Sequence, residues 1–144
     1  MSTEQYTALL KDAGLRVTAP RIATLAVVSD RPHADAEDIW AGVNARLGSV
    51  SRQAVYDVLR ALSEANIVTR IHLDSRGARY ELQRHDNHHH LICKACGKFE
   101  DVPCATGSAP CLTPHGEPDF TVEVAEVLYR GLCTQCAAEK TLTT

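Results

Sequence analysis

The sequence predicts a two-lobed chain of the α/β (α+β) class, with helices closed by a hairpin in residues 1–84 and a smaller α/β lobe in residues 85–144. Three observations carry this. Apolar residues recur at helical spacing through the first part of the chain, Asp74-Ser75-Arg76-Gly77 forms a turn between two strand-like runs, and from His85 the texture changes to histidine, cysteine and short alternating stretches. At 144 residues the chain suits one ordinary domain or two small ones sharing a core.

Taken in order, Gly14, the Thr18-Ala19-Pro20 entry and the Asp30-Arg31-Pro32 break divide the first third into short helices, with Pro20 suited to a first helical turn. A third helix starts after Asp35 as N-cap and runs through Ile39, Trp40 and Val43 to about Leu47. The stretch SVSRQAVYDVLRALSEANIV offers Ser51 as the next N-cap, with Ala54, Val55, Val58, Leu59 and Leu62 on one face and Arg52, Gln53, Tyr56, Asp57 and Arg60 on the other. Then IVTRIHLDSRGARYEL reads as a hairpin. Helices followed by a hairpin make a winged helix-turn-helix pattern. In the second lobe, strand-like runs fall at residues 91–92, 99–102 and 121–129. The last alternates at Phe120, Val122 and Val124 before slipping near Ala125, as at a bulge. Pro103, Pro110, Pro114 and Pro118 mark the stretch between as an irregular loop or a broken short helix.

No apolar run approaches the length of a membrane span, and the polar start MSTEQYTALLKDAG lacks the order of a secretory signal, so the expected location is the cytoplasm. The net charge of −3 hides an uneven distribution. Residues 46–84 hold seven Arg (Arg46, Arg52, Arg60, Arg70, Arg76, Arg79, Arg84) against four acids, while residues 85–144 hold four basic residues against eight acids. The first segment can meet phosphates while the rest keeps the chain soluble.

Six cysteines in a reducing compartment point to metal ligation or redox chemistry rather than a disulfide framework. Cys93-Lys94-Ala95-Cys96 and Cys133-Thr134-Gln135-Cys136 are two C-x-x-C knuckles that together can complete a tetrahedral four-thiolate site suited to structural zinc. The alternatives are unrelated redox dithiols or free buried cysteines. Cys104 and Cys111 lack knuckle spacing and read as plain thiols, with a reversible disulfide as the alternative. His88 and His90, two apart on an extended run, point to one side and His89 to the other. Carboxylates available to that pair are Asp101 and Glu81, and nitrogen and oxygen ligands of this kind suit Fe(II), Mn(II), Co(II) or Zn(II). A solvated surface histidine run is the plainer reading.

Together these residues resemble the ferric uptake regulator (Fur) superfamily. The resemblance rests on GLRVTAPR, PHADAEDIW, SRQAVYDVLRALSEANIV, RYE, HHHLICKACGKFED and YRGLCTQC, whose order and spacing cover nearly the whole chain. It implies a homodimer that binds double-stranded operator DNA and represses genes when a regulatory metal is bound. Residues 1–84 would be the winged-helix DNA-binding domain and residues 85–144 the metal-binding dimerisation domain. Carried over by position, Cys93, Cys96, Cys133 and Cys136 hold structural Zn(II), and His33, Glu81, His88, His90 and Asp101 form the regulatory site, taking Fe(II) with Mn(II) or another divalent ion as substitute. The position matching the histidine of a further family site is Ala125, so no third site is expected and His89 has no assigned role.

Asp rather than Glu at position 101 resembles the peroxide-sensing branch, and Cys104 and Cys111 beside APCL look like actinobacterial members associated with catalase-peroxidase control. Peroxide is then a signal and not a substrate, and the alternative is an iron-level sensor controlling iron uptake. On the fourth helix, Ser51, Arg52, Gln53 and Tyr56 lie where a recognition helix meets base edges. Arg16 resembles the family's minor-groove residue, and Arg76 in the wing is a phosphate contact. A rival of another class is a small zinc hydrolase built on His88, His90 and a carboxylate, but that reading leaves the helix-turn-helix arginines without a purpose.

Overall fold

A computed structural model of the chain describes residues 1–73, 77–116 and 119–142, which divide into two units, Met1–Arg84 and His85–Thr144. Asp74, Ser75 and Arg76, the predicted hairpin turn and wing contact, lie outside the described residues, as does Pro118.

The first unit runs α1 (Thr3–Asp12), α2 (Ala19–Asp30), α3 (Ala36–Leu47), α4 (Arg52–Glu64), β1 (Val68–His72) and β2 (Ala78–Leu82). Each helix starts where a side-chain oxygen takes up an orphan amide. Ser2 and Gln5 form a reciprocal capping box, the Arg21 amide donates to Thr18 Oγ1 (3.3 Å), the Asp38 amide to Asp35 Oδ1 (2.8 Å) and the Ala54 amide to Ser51 Oγ (3.0 Å). The apolar faces converge on one core in which Leu10, Leu25, Ile39, Leu59 and Leu62 are fully buried. The α3–α4 turn is held by Trp40 Nε1 donating to the Val50 carbonyl (2.9 Å) and by the Val50 amide donating to Asn44 Oδ1 (3.1 Å). β1 and β2 pair antiparallel from Val68↔Leu82 to His72↔Ala78. A bridge between Ala34 and Tyr80 ties the entry of α3 to β2.

The second unit contains β3 (His88–Cys93), β4 (Phe99–Pro103), β5 (Leu128–Gly131) and α5 (Thr134–Leu142). β3 lies centrally, antiparallel to β4 and parallel to β5. Of the expected strand over residues 121–129 only Leu128 and Tyr129 join a ladder, in β5, which continues to Gly131. The alternating residues Phe120 (83 % exposed), Val122 and Val124 face solvent and meet no partner strand among the described residues, and an extended run without a ladder leaves its backbone groups to water. α5 was not anticipated, because its first turn coincides with the second thiol knuckle and its sequence TQCAAEKTL has little apolar periodicity.

At Gly42 α3 packs tightly on α2: a Cβ there would lie 2.9 Å from Val27 Cγ1 and 3.1 Å from Cγ2. Gly42→Ala gains about 1 kcal/mol of helix propensity but forces apart a stiff β-branched contact at a cost of about 1–3 kcal/mol. The expected outcome is a lower urea midpoint with an unchanged slope. A raised midpoint would mean that the two helices separate freely.

Candidate functional site

The four knuckle cysteines come together at the end of β3 and the start of α5. After Cys93 the chain turns back through Gly97 (φ 81°), with the Gly97 amide donating to the Cys93 carbonyl (2.9 Å) and the Cys93 amide to the Lys98 carbonyl (2.8 Å). The positive φ suits glycine. Parallel pairing of β3 with β5 carries the chain to Cys133, and α5 supplies Cys136 from its first turn. The ligand atoms of Cys93, Cys96, Cys133 and Cys136 all lie within 4.8 Å of one another, and the Cys96 and Cys133 sulfurs are 3.8 Å apart. Four thiolates around zinc at about 2.3 Å have sulfur–sulfur edges of about 3.8 Å, so the cluster already has the span that zinc requires. Amide donors from Cys96 and Cys133 bring the Cys93 thiol down to about 6, whereas hydrogen bonding to Cys133 and Cys96 pushes Cys136 up to about 12. Sulfurs packed this closely cannot all ionise together, and a dication removes that conflict. With four protein ligands such a centre has no open position and serves structure.

The histidines of β3 divide by strand period. His90 pairs in register with Asp101 on β4, and its Nε2 is 3.2 Å from Asp101 Oδ1; His88 Nε2 is 3.8 Å from the same oxygen. The two imidazoles meet edge to face at 4.9 Å, and His90 stacks on Phe99 at 5.2 Å. His88 Nδ1 bonds the Asp86 carboxylate, which leaves Nε2 facing Asp101. A carboxylate on the far nitrogen is the usual orienter of a metal-ligating histidine.

In the first unit, the Ala34–Tyr80 bridge places His33 beside β2. The His33 amide donates to the Tyr80 carbonyl (2.9 Å), and His33 Nε2 is 3.0 Å from Glu81 Oε2, a carboxylate on a residue only 5 % exposed. His33 holds φ 73°, a conformation that strains a residue with a Cβ and recurs at functional sites. Each unit therefore carries an imidazole–carboxylate set of its own, His33 with Glu81 in the first and His88, His90 and Asp101 in the second.

A further grouping has no counterpart in local sequence pattern. His89, on the opposite side of β3 from His88 and His90, joins Cys104 and Cys111, with all three ligand atoms within 4.8 Å. Hydrogen bonding from Thr106 holds the Cys104 thiol at about 6, and burial pushes Cys111 up.

The exposed face of α4 is internally engaged. Arg52 grips Glu37 through Nε (3.0 and 3.1 Å) and Nη2 (2.8 Å), and its guanidinium lies 3.9 Å over the Trp40 ring. Tyr56 donates to the same carboxylate (3.3 Å), and Gln53 donates to Asp57 (2.9 Å). The Arg52 guanidinium holds Glu37 below the usual carboxylate range. Ser51 Oγ is occupied by the helix cap, and Arg16 is exposed between α1 and α2. Glu37, absent from the residues chosen by sequence, is what organises Arg52 and Tyr56. Its place in the first turn of α3 was the only available signal.

The ferric uptake regulator family matches residues 12–106, more than half of the chain. Transcriptional regulator FurA of Mycobacterium tuberculosis is 49 % identical over 140 residues, covering 97 % of this chain and 95 % of that protein. Ferric uptake regulation protein 2 of Mycolicibacterium fortuitum is 45 % identical over 139 residues, covering 94 % and 95 %. The structure of the Helicobacter pylori ferric uptake regulator superposes with a TM-score of 0.71 at 19 % identity, covering 95 % of each chain, a likeness of fold.

Removing the structural metal with a strong chelator, or substituting Cys133→Ser, should abolish one tightly held zinc per chain and unfold the second unit while the core of the first persists. Hydrogen exchange reads this directly, as lost protection in β3, β4 and β5 with protection retained in α2 and α4. Zinc content and β3 protection unchanged in Cys133→Ser would rule the cluster out as a ligand set.

Proposed function

The chain belongs to the ferric uptake regulator family, and on that premise we propose that it is a homodimeric repressor that holds operator DNA while Fe(II) fills a regulatory site and lets go when hydrogen peroxide oxidises that site. Members of the family are metal-responsive transcriptional regulators that bind operator DNA as dimers, and this chain is a regulator, not an enzyme. The zinc hydrolase reading is thereby set aside. Among the described residues no helix is long and apolar enough to cross a membrane, and a DNA-bound regulator works in the cytoplasm.

In this reading Cys93, Cys96, Cys133 and Cys136 hold structural zinc, and His33, Glu81, His88, His90 and Asp101 ligate the regulatory ion, with Mn(II) able to substitute. The observation that carries it is the pairing of imidazole with carboxylate at His33–Glu81 (3.0 Å) and at His90–Asp101 (3.2 Å). Mixed nitrogen and oxygen donors suit Fe(II) or Mn(II), whereas thiolates suit zinc, so one chain can separate the two metals by donor softness. Metal and operator binding are coupled in this reading, and the coupling is reciprocal: operator must tighten metal by the same factor that metal tightens operator.

Fe(II) held by His33, Glu81, His88, His90 and Asp101 would supply the reductant that peroxide chemistry needs. His33, His88 and His90 are then the side chains placed to be oxidised, and a lost ligand lowers metal affinity and, through the coupling, DNA affinity. Asp101 in place of Glu supports the peroxide signal. The name of ferric uptake regulation protein 2 of Mycolicibacterium fortuitum supports a second reading, a sensor of iron level.

DNA contacts are assigned to Arg16 in the minor groove, Ser51, Arg52, Gln53 and Tyr56 at the recognition helix, and Arg76 on phosphate. Arg52 and Tyr56 reach DNA by exchanging Glu37 for the ligand. This exchange is easy, because an exposed ion pair is weak in water and screened by salt.

Two measurements test the proposal. Peptide mass spectrometry after one equivalent of hydrogen peroxide should find one added oxygen on a peptide containing His33, His88 or His90 in the Fe(II)-loaded protein, and none in the Mn(II)-loaded protein. An unmodified iron form would move the reading to an iron-level sensor. Separately, Tyr56→Ala should cost about 1–3 kcal/mol of discrimination between operator and random DNA, read as a ratio of dissociation constants at fixed salt. Equal weakening on both DNAs would remove Tyr56 from base readout.

A further inference from the structure

We propose that His89, Cys104 and Cys111 form an additional metal site that takes Zn(II) through one imidazole and two thiolates, separate from the four-thiolate cluster and from the His88, His90 and Asp101 set.

The site is built by strand period and loop return. On β3, residues 88 and 90 share one side, so His89 projects from the other, where its residue is 4 % exposed. In the β3–β4 register its partner is Val102, and β4 ends at Pro103, so Cys104 leaves the sheet two positions past that partner, in phase with Val102 by strand period. The intervening loop then brings back Cys111, whose Sγ lies 3.3 Å from His89 Nε2. The three ligand atoms fall within 4.8 Å of one another. A tetrahedral zinc ion with Zn–N of about 2.0–2.1 Å and Zn–S of about 2.3 Å needs ligand-to-ligand edges of about 3.5–3.8 Å. The observed grouping is therefore at, or a side-chain adjustment away from, ligation geometry.

The chemistry of the donor set selects the occupant. Two thiolates and an imidazole favour zinc-class ions over Fe(II) or Mn(II), so this site and the imidazole–carboxylate groups draw on different metals. Ligation converts both thiols to thiolates, and the two protons pass to solvent. Three protein ligands would leave one tetrahedral position open, and Thr106 Oγ1 lies 3.4 Å from Cys104 Sγ. A site with an open position and half-buried thiols can exchange its zinc, unlike the closed four-thiolate centre. The plain alternative is a thiol–imidazole hydrogen bond between Cys111 and His89, with Cys111 also donating to the Ala125 carbonyl at 3.9 Å. Cys104 also hydrogen-bonds His89 and Cys111, so this network and the metal site use the same three side chains and differ in whether they take up zinc. Closing residues 104–111 onto β3 through a metal would order a loop that carries little apolar burial of its own.

This inference does not rest on the regulatory reading, and its test separates the two. The full-length protein, fully reduced and with its structural zinc retained, is titrated with Zn(II) and, in parallel, with Co(II) as a spectroscopic probe. The wild type should take up one zinc equivalent more per chain than Cys104→Ser/Cys111→Ser, and Co(II) should develop tetrahedral bands with thiolate-to-metal charge transfer that the double variant lacks. Imidazole and carboxylate ligands give no such charge-transfer band, so the regulatory ion is not counted by it. His89→Gln should weaken the uptake while leaving both thiols titratable. A readout on the unaltered protein guards against variants that misfold: added zinc should slow alkylation of Cys104 and Cys111 relative to the zinc-free protein. Equal zinc content in wild type and double variant, or alkylation and peroxide-driven disulfide formation at Cys104 and Cys111 that zinc does not slow, would overturn the site and leave a thiol pair.

Discussion

The second unit depends on sulfur where the first depends on hydrocarbon. Among the described residues of 85–144, Ile92 and Cys93 are the only buried apolar ones, whereas the first unit closes a core of Leu, Ile, Val and Tyr side chains. A lobe of this size cannot offset its chain entropy with so little apolar burial and needs a staple. Four sulfurs within 4.8 Å supply it, tying the end of β3 to the start of α5 across a long loop. A metal that clips distant segments contributes most in such a place, because the entropy of the open loop is what it removes.

With its end anchored at Cys93, β3 can serve three purposes at once. It gives a thiol to the four-sulfur cluster, turns His88 and His90 toward Asp101, and turns His89 toward Cys104 and Cys111. Alternation along a strand keeps these donor sets apart by a peptide unit and opposite faces. Separation by softness follows from separation in space, since sulfur-rich and oxygen-rich donors do not mix on one side of the sheet.

The first unit is organised by two small devices outside its core. The bridge from Ala34 to Tyr80 sets His33 against Glu81 and holds it at a positive φ, a strain of about 1–3 kcal/mol that surrounding hydrogen bonds must sustain. Glu37 collects Arg52 and Tyr56 over Trp40 and so presents the start of α4 as an ordered, exchangeable polar surface. Both act through residues distant in sequence, which is why neither Glu37 nor the geometry of His33 could be read from a local window.

What the sequence determined by itself was whatever is set within a few residues. The caps at Asp35 and Ser51, the helical face of Val55, Val58, Leu59 and Leu62, and the knuckles with Gly97 follow from hydrogen bonds and periodicity that neighbouring residues alone satisfy. His33 was reached only through resemblance to a family, since a lone histidine after proline carries no local signal. Tertiary structure decided the rest. The alternation at Phe120, Val122 and Val124 reads as a strand, but a strand exists only with a partner, and the ladder begins at Leu128. The meeting of His89, Cys104 and Cys111, and of Arg52 with Glu37, depends on strand register and loop return. Those are properties of closed loops and packed elements, whose free energy is shared across the chain and written in no single segment of it.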